Sequence, residues 1–216
     1  MRELLVQKFH AGLRIGPDLR SVLSHPNRQR VLLHQGSLDG ACALYCAVMA
    51  LTLLEQVNPA RRRSTSLGRL VKRFAIESPE QFFEGITDDD FEELVARQGL
   101  RVQSDRVNGS TGRCVAHAVR AVADGKLAVL SISSRGQLGG HATLAVGIEG
   151  VQRGWSFEPQ ALLCLDPNPR ALSYGGYNAR LGLDKPHGSI RYRRYSHAGS
   201  PRRSVSVWSS IVLWSK

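Results

Sequence analysis

The chain has 216 residues, 42% of them hydrophobic and 22% charged, enough to bury one core without help from disulfides or metals. Its 29 Lys+Arg against 18 Asp+Glu leave a formal charge of +11, which concentrates anionic partners such as acidic proteins or nucleic acid without naming one. The longest apolar run, CALYCAVMALTLL at 42–54, has 13 residues, short of the roughly 18 that a membrane span needs.

The opening segment MRELLVQKFHAGLRIG has no unbroken apolar stretch and no small-residue cleavage site, so it does not read as a secretory signal. The four cysteines, Cys42, Cys46, Cys114 and Cys164, are too sparse for a disulfide framework and suit a reducing compartment. The expectation is a cytoplasmic protein.

In chain order, residues 1–34 show weak periodicity, with VLLH (31–34) as a short strand or turn. Residues 42–56 predict a helix that is apolar nearly all round and therefore buried on most sides. Asp39 and Gly40 stand before it as capping residues, and Asn58-Pro59 ends it. ARRRSTS (60–66) reads as an exposed loop, and SLGRLVKRFAI (66–76) as a basic amphipathic helix. A further helix starts at Thr87, where Thr87-Asp88-Asp89-Asp90 resembles a capping box and places three acids at the positive helix end. RCVAHAVRAVADG (113–125) predicts another, ending at Gly125.

After Lys126 the period shortens. Strands are expected at 127–133, 141–149 and 161–166, with two more at 189–195 and 204–214. Helices followed by strands indicate an α+β class with segregated lobes in a single domain over 1–216, helical at about 30–125 and β at about 126–216.

A cysteine attacks only as the thiolate, so a nucleophilic thiol needs its pKa lowered, which a helix N-terminus does through its unpaired N–H groups. Cys42 stands at the predicted start of the buried helix. Cys46 lies one turn further in, where apolar surroundings keep a thiol neutral. His141 opens a strand after the turn RGQLGG, so its ring can project into a cleft while the strand anchors its backbone. Asp166 ends the strand ALLCLD just before Pro167, with Asn168 as the other carboxamide or carboxylate at that point. A Cys and His pair within reach of each other, with a third group orienting the His, is the general arrangement for thiol acyl transfer.

These segments carry a resemblance. QGSLDGACALYCAV (35–48) resembles the active-site segment of papain-like cysteine peptidases, in which a Gln-Gly-Ser precedes a cysteine that begins a long buried helix. GGHATLAVGIE (139–149) is similar to the strand that carries their histidine. ALLCLDPNP (161–169) is similar to the Asp-Pro ending found in the peptidase domains of bacteriocin exporters, the branch it looks closest to. The resemblance covers roughly residues 30–170. It implies a papain-like α+β fold: an N-terminal helical lobe, a long buried helix starting at the nucleophile, and a C-terminal antiparallel sheet. It also implies a triad of Cys42, His141 and Asp166 and an oxyanion hole from the Gln35 side chain and the Cys42 N–H. The Gln35-to-Cys42 spacing is seven, one longer than in papain itself.

The implied activity is hydrolysis of peptide or isopeptide bonds without a cofactor or metal, on a protein or peptide substrate that the basic charge allows to be acidic. The same triad also serves deamidation, transglutamination and acyl transfer. A separate reading comes from SIRYRRYSHAGSPRR (189–203), which interleaves five arginines with two tyrosines, a composition suited to single-stranded nucleic acid or to protection of an exposed sheet edge.

Overall fold

The computed structural model describes residues 3–16, 21–23, 31–35, 40–54, 84–97, 101–136, 139–168, 175–185, 189–197 and 201–216. In chain order its elements are β1 (Glu3–Phe9), β2 (Leu13–Ile15), β3 (Ser21–Leu23), α1 (Cys42–Leu53), α2 (Asp88–Arg97), β4 (Val102–Asn108), α3 (Thr111–Ala123), β5 (Leu127–Ser134), β6 (His141–Arg153), β7 (Ser156–Leu165), β8 (Ala179–Gly182), β9 (Arg193–His197) and β10 (Arg203–Ser215). The expected helix at 66–76, the loop at 60–66 and the Asn58-Pro59 stop lie outside the described residues.

The α+β papain-like class expected from the sequence is corrected. Strands make up 47% of the described structure, against three short helices, and six of them close into an antiparallel barrel. The order is β6-β5-β10-β9-β8-β7, with β7 returning to pair with β6. The helix that begins at Cys42 has 12 residues, between the 10 of α2 and the 13 of α3. Nor is the sheet confined to the second half of the chain. β1 adds to β6 with Glu3 opposite Arg153, and β4 adds to β10 with Asn108 opposite Ser209.

Two long strands make closure possible. β6 and β10 have 13 residues each, so each can serve several neighbours. β10 pairs with β5, β9 and β4 along its length. The register shifts at Val207/Ser209 in β10 and at Ala145/Gly147 and Glu149/Gly150 in the β6–β7 pair interrupt the ladder as β-bulges do, and such interruptions increase local twist and let a sheet curl. At Gly150 a side chain would collide with the Glu158 carbonyl, 2.3 Å from a built Cβ, so the close approach of β7 there requires glycine.

The two-residue period sorts the core into two layers. Leu127, Val129, Ala142, Leu144, Val146, Ile211 and Leu213 face α1. Ala128, Leu130, Ile132, Ala145, Cys164, Tyr195 and Val207 face the other side, with α3. β6 is covered on both sides and is buried from Ala142 to Gly150. That explains its unbroken apolar reading in the sequence. Burying α1 on nearly every side, from Cys46 to Leu53, makes it the central post against which β6 is fixed.

Among smaller elements, Thr87 and Asp90 form the expected capping box. The Asp90 N–H donates to Thr87 Oγ1 at 3.2 Å, and the Thr87 N–H donates to Asp90 Oδ2 at 3.3 Å. VLLH at 31–34 takes no regular secondary structure. Among the described residues no helix is long and apolar enough to cross a membrane.

Candidate active site

The site lies at the end of the barrel where β6 begins and β7 finishes. These strands are neighbours, with Leu144 opposite Leu165, so His141 and Asp166 are brought together by pairing alone. Alternation places His141 and Thr143 on one face of β6, and Cys164 with Asp166 on the matching face of β7. α1 packs across β6 with its first turn against the strand's start. The Ala142 N–H donates to Cys42 Sγ at 3.2 Å.

Ala41, not Asp39 or Gly40, is the N-cap of α1, and no side chain caps it; Asp39 itself lies outside the described residues. Cys42 Sγ is hydrogen-bonded by the Ala43 N–H and by the His141 ring. The His141 Nε2 bonds Asp166 Oδ1 at 2.6 Å, which leaves Nδ1 as the nitrogen on the cysteine side. Asp166 is the partner of the imidazole and Asn168 is not. Asn168 instead donates its backbone N–H to Asp166 Oδ1 at 2.8 Å, and its carbonyl bonds the exposed His34 ring at 3.1 Å.

The electrostatics follow from burial and partners. Asp166 is fully buried. Burial alone would push its carboxyl up, but the hydrogen bond and positive charge of His141, with the Tyr195 hydroxyl and the Asn168 N–H, hold it down at about 2. Burial works to lower the His141 pKa, and the hydrogen bonds and negative charges of Asp166 and Cys42 overcome this and raise it to about 10. Burial likewise pushes the Cys42 thiol up, but His141 and the two backbone N–H groups bring it below the ordinary thiol value. The net tendency is a thiolate beside an imidazolium. The remaining cysteines are driven the other way: burial pushes the thiols of Cys46, Cys114 and Cys164 up.

Gln35 is drawn to the same end of the barrel. Its backbone N–H donates to the Pro167 carbonyl at 2.8 Å, one residue beyond Asp166, and its side-chain Oε1 is buried. Residues 36–39, which hold the extra spacing before Cys42, lie outside the described residues.

Three residues of the site went unread in the sequence. Tyr195 donates its hydroxyl to Asp166 Oδ2 at 2.6 Å. Thr143 Oγ1 lies 3.3 Å from the same hydroxyl. Asn178 clamps the Asp166 backbone from both sides, accepting its N–H at 2.6 Å and donating to its carbonyl at 2.8 Å. None of these carries a signal of its own in the local sequence. The sequence places Tyr195 among the arginines of 189–203, in a composition suited to stacking on bases. It is fully buried, so it is not a surface for bases. Tyr192, the other tyrosine, has the Arg135 guanidinium 5.7 Å from its ring centroid.

Among the described residues no group of three or more His, Cys, Asp or Glu side chains is arranged to hold a metal ion. No protein-family model matches the chain, and no curated protein matches it.

Proposed function

We propose that the chain is a cysteine peptidase that cleaves peptide or isopeptide bonds, with Cys42 as nucleophile, His141 as general base and then acid, and Asp166 fixing the imidazole. The observation that carries this reading is the continuous chain from Cys42 Sγ through His141 to Asp166, with Nε2 at 2.6 Å from the carboxylate. A nucleophile, a base and a group orienting the base, linked in that order, are what thiol acyl transfer needs.

In the proposed reaction the Cys42 thiolate attacks the scissile carbonyl carbon. The tetrahedral oxyanion is stabilised by N–H donors at the start of α1 and by the Gln35 amide. The C–N bond then breaks, with the leaving nitrogen taking the His141 proton. Water, deprotonated by His141, attacks the thioester and releases Cys42. The likeness to papain-like peptidases, the bacteriocin-exporter branch included, is kept at the level of these side chains and their chain order. Four free thiols fit the cytoplasm or another reducing compartment, and a charge of +11 favours a protein or peptide substrate with acidic character.

Intact-protein mass spectrometry after treatment with iodoacetamide or E-64 at mildly acidic pH tests the reading. A single adduct at Cys42, lost in His141→Ala, is expected. Equal labelling of all four cysteines would sink it. Trapping the acyl-enzyme with added amine against water then separates hydrolysis from deamidation, transglutamination or acyl transfer, which share the first half of the reaction.

A further inference from the structure

We propose that Tyr195 is a positioning residue of the site, holding the Asp166 carboxylate ionised and in the rotamer that serves His141. The inference rests on the thiol chemistry proposed above and adds a fourth member to it from the opposite wall of the barrel.

The two carboxylate oxygens have different partners. Oδ1 accepts from His141 Nε2 and from the Asn168 N–H. Oδ2 accepts from Tyr195, its donor among the described residues. A carboxylate removed from water is costly unless its lone pairs are met, and without the phenol Oδ2 would face the interior with no donor among the described residues. Rotation about the side chain would then exchange the oxygens, and protonation would relieve the charge. Either change weakens the grip on Nε2.

Tyr195 is itself firmly set. Its backbone lies between β8 and β10, opposite Leu181 and Arg203. The Arg203 guanidinium stands 5.3 Å from its ring centroid, and the His197 ring packs edge-on at 6.4 Å. Its hydroxyl is pushed well above the usual phenol range, first by burial and then by the Asp166 charge, so it remains a donor. The other titratable groups near the carboxylate are the His141 ring on β6, the Cys164 thiol on β7 and the Cys46 thiol on α1. Both thiols are kept neutral by burial. A tyrosine that merely filled the barrel could be replaced by phenylalanine without touching the carboxylate's ionisation.

The experiment follows the Asp166 carboxyl by carbon-13 NMR in protein labelled at aspartate, with Asp166→Asn identifying the resonance. In parallel it measures the iodoacetamide rate of Cys42 at pH 6. Tyr195→Phe is expected to raise the Asp166 titration midpoint by ~1 unit or more and to slow Cys42 alkylation by about tenfold. A folded Tyr195→Phe protein with an unmoved midpoint overturns the inference. Should that variant fail to fold, p-aminophenylalanine at position 195 keeps the ring and offers a weaker donor. It should give an intermediate rise, and a midpoint equal to wild type again overturns the inference. The wild-type alkylation distinguishes the two levels of the argument: no preference for Cys42 would defeat the thiol reading, whereas the carboxyl titration decides Tyr195 by itself.

Discussion

Among the described residues two His–Asp pairs are flanked by a nucleophile-type side chain, and they differ in the placement of the carboxylate. In the first, His141 bonds Asp166 at 2.6 Å and Cys42 on its other side. In the second, His117 on α3 bonds Ser210 Oγ at 3.1 Å and Asp105 at 3.2 Å. By residue type alone the second set resembles a Ser-His-Asp triad. Its serine on β10 is fully buried, however, and its aspartate side chain is 64% exposed. The first set has the opposite arrangement, a cysteine that is only partly buried and a carboxylate sealed from water. A polar chain does chemistry when its reactive end is reachable and its anchoring end is dry, because only a desolvated carboxylate exerts its charge at full strength on the imidazole. The second chain has these reversed, and its role is to tie α3 to β10 and β4.

The largest test of this contrast removes the dry carboxylate. Asp166→Asn should cut the Cys42 alkylation rate at pH 6 by about 10²-fold or more, because the imidazole loses both its counter-charge and its fixed tautomer. Asp166→Ala should in addition destabilise the fold by roughly 3–5 kcal/mol in urea titrations, the usual cost of breaking a buried pair. An alkylation rate within twofold of wild type would remove Asp166 from the site. Gln35→Ala is the next step down. Turnover of a peptide mixture should fall by about 10²-fold, while Cys42 alkylation is unchanged, since the amide serves the oxyanion and not the thiolate.

Acidity gives a third test, with signs set by the shifts at the site. Asp166 has its folded pKa lowered to about 2, so its contribution to stability is present above the ordinary carboxyl value and is lost as pH falls through 2. His141 has its pKa raised to about 10, so its contribution is complete below the ordinary imidazole value and is lost as pH rises through 10. Chemical denaturation over a pH series should therefore show stability declining at both ends. In Asp166→Asn the decline on the acid side should flatten. Cys42 reactivity, read as the observed alkylation rate, should extend below the pH at which an ordinary cysteine reacts. Its imidazolium-dependent enhancement should fade above about pH 10.

The site's linear part was legible because each member carries a local signal. Cys42 opens an apolar helix, His141 follows a glycine turn into a strand, and Asp166 ends a strand before proline. Such signals depend on a few neighbouring residues, and the chain order then assembles them. Tyr195 and Asn178 were not legible, because their roles exist only once β7, β8 and β9 have closed the ring. Tyr195 in particular sits among arginines, and alternation along Arg193–His197 turns it inward while Arg194 faces out. The overall class failed for the same reason. VQSDRVN and ARLG carry too few apolar residues to announce strands. Whether 189–214 forms a flat lobe or closes a barrel is a question of long-range pairing, to which hydrophobic period is blind. What the sequence did convey was the apolar continuity of 141–149, whose cause is cover on both faces.

The smallest effect is predicted for the second pair. Asp105→Asn removes a carboxylate that is mostly in water and 3.2 Å from His117. An exposed pair of this kind contributes about 0–1 kcal/mol, screened by salt. The variant should lose less than about 1 kcal/mol in urea at low ionic strength, and less again when salt is added. Cys42 alkylation should remain equal to wild type. Ser210→Ala sharpens the point, since it empties the other side of His117. A buried ring nitrogen left without its hydroxyl partner costs about 1–3 kcal/mol, so this variant should be the more destabilising of the two although it removes no charge. The opposite ranking, or any slowing of Cys42 in either variant, would mean that the two polar chains are coupled through β10 and that the dry carboxylate is not what separates them.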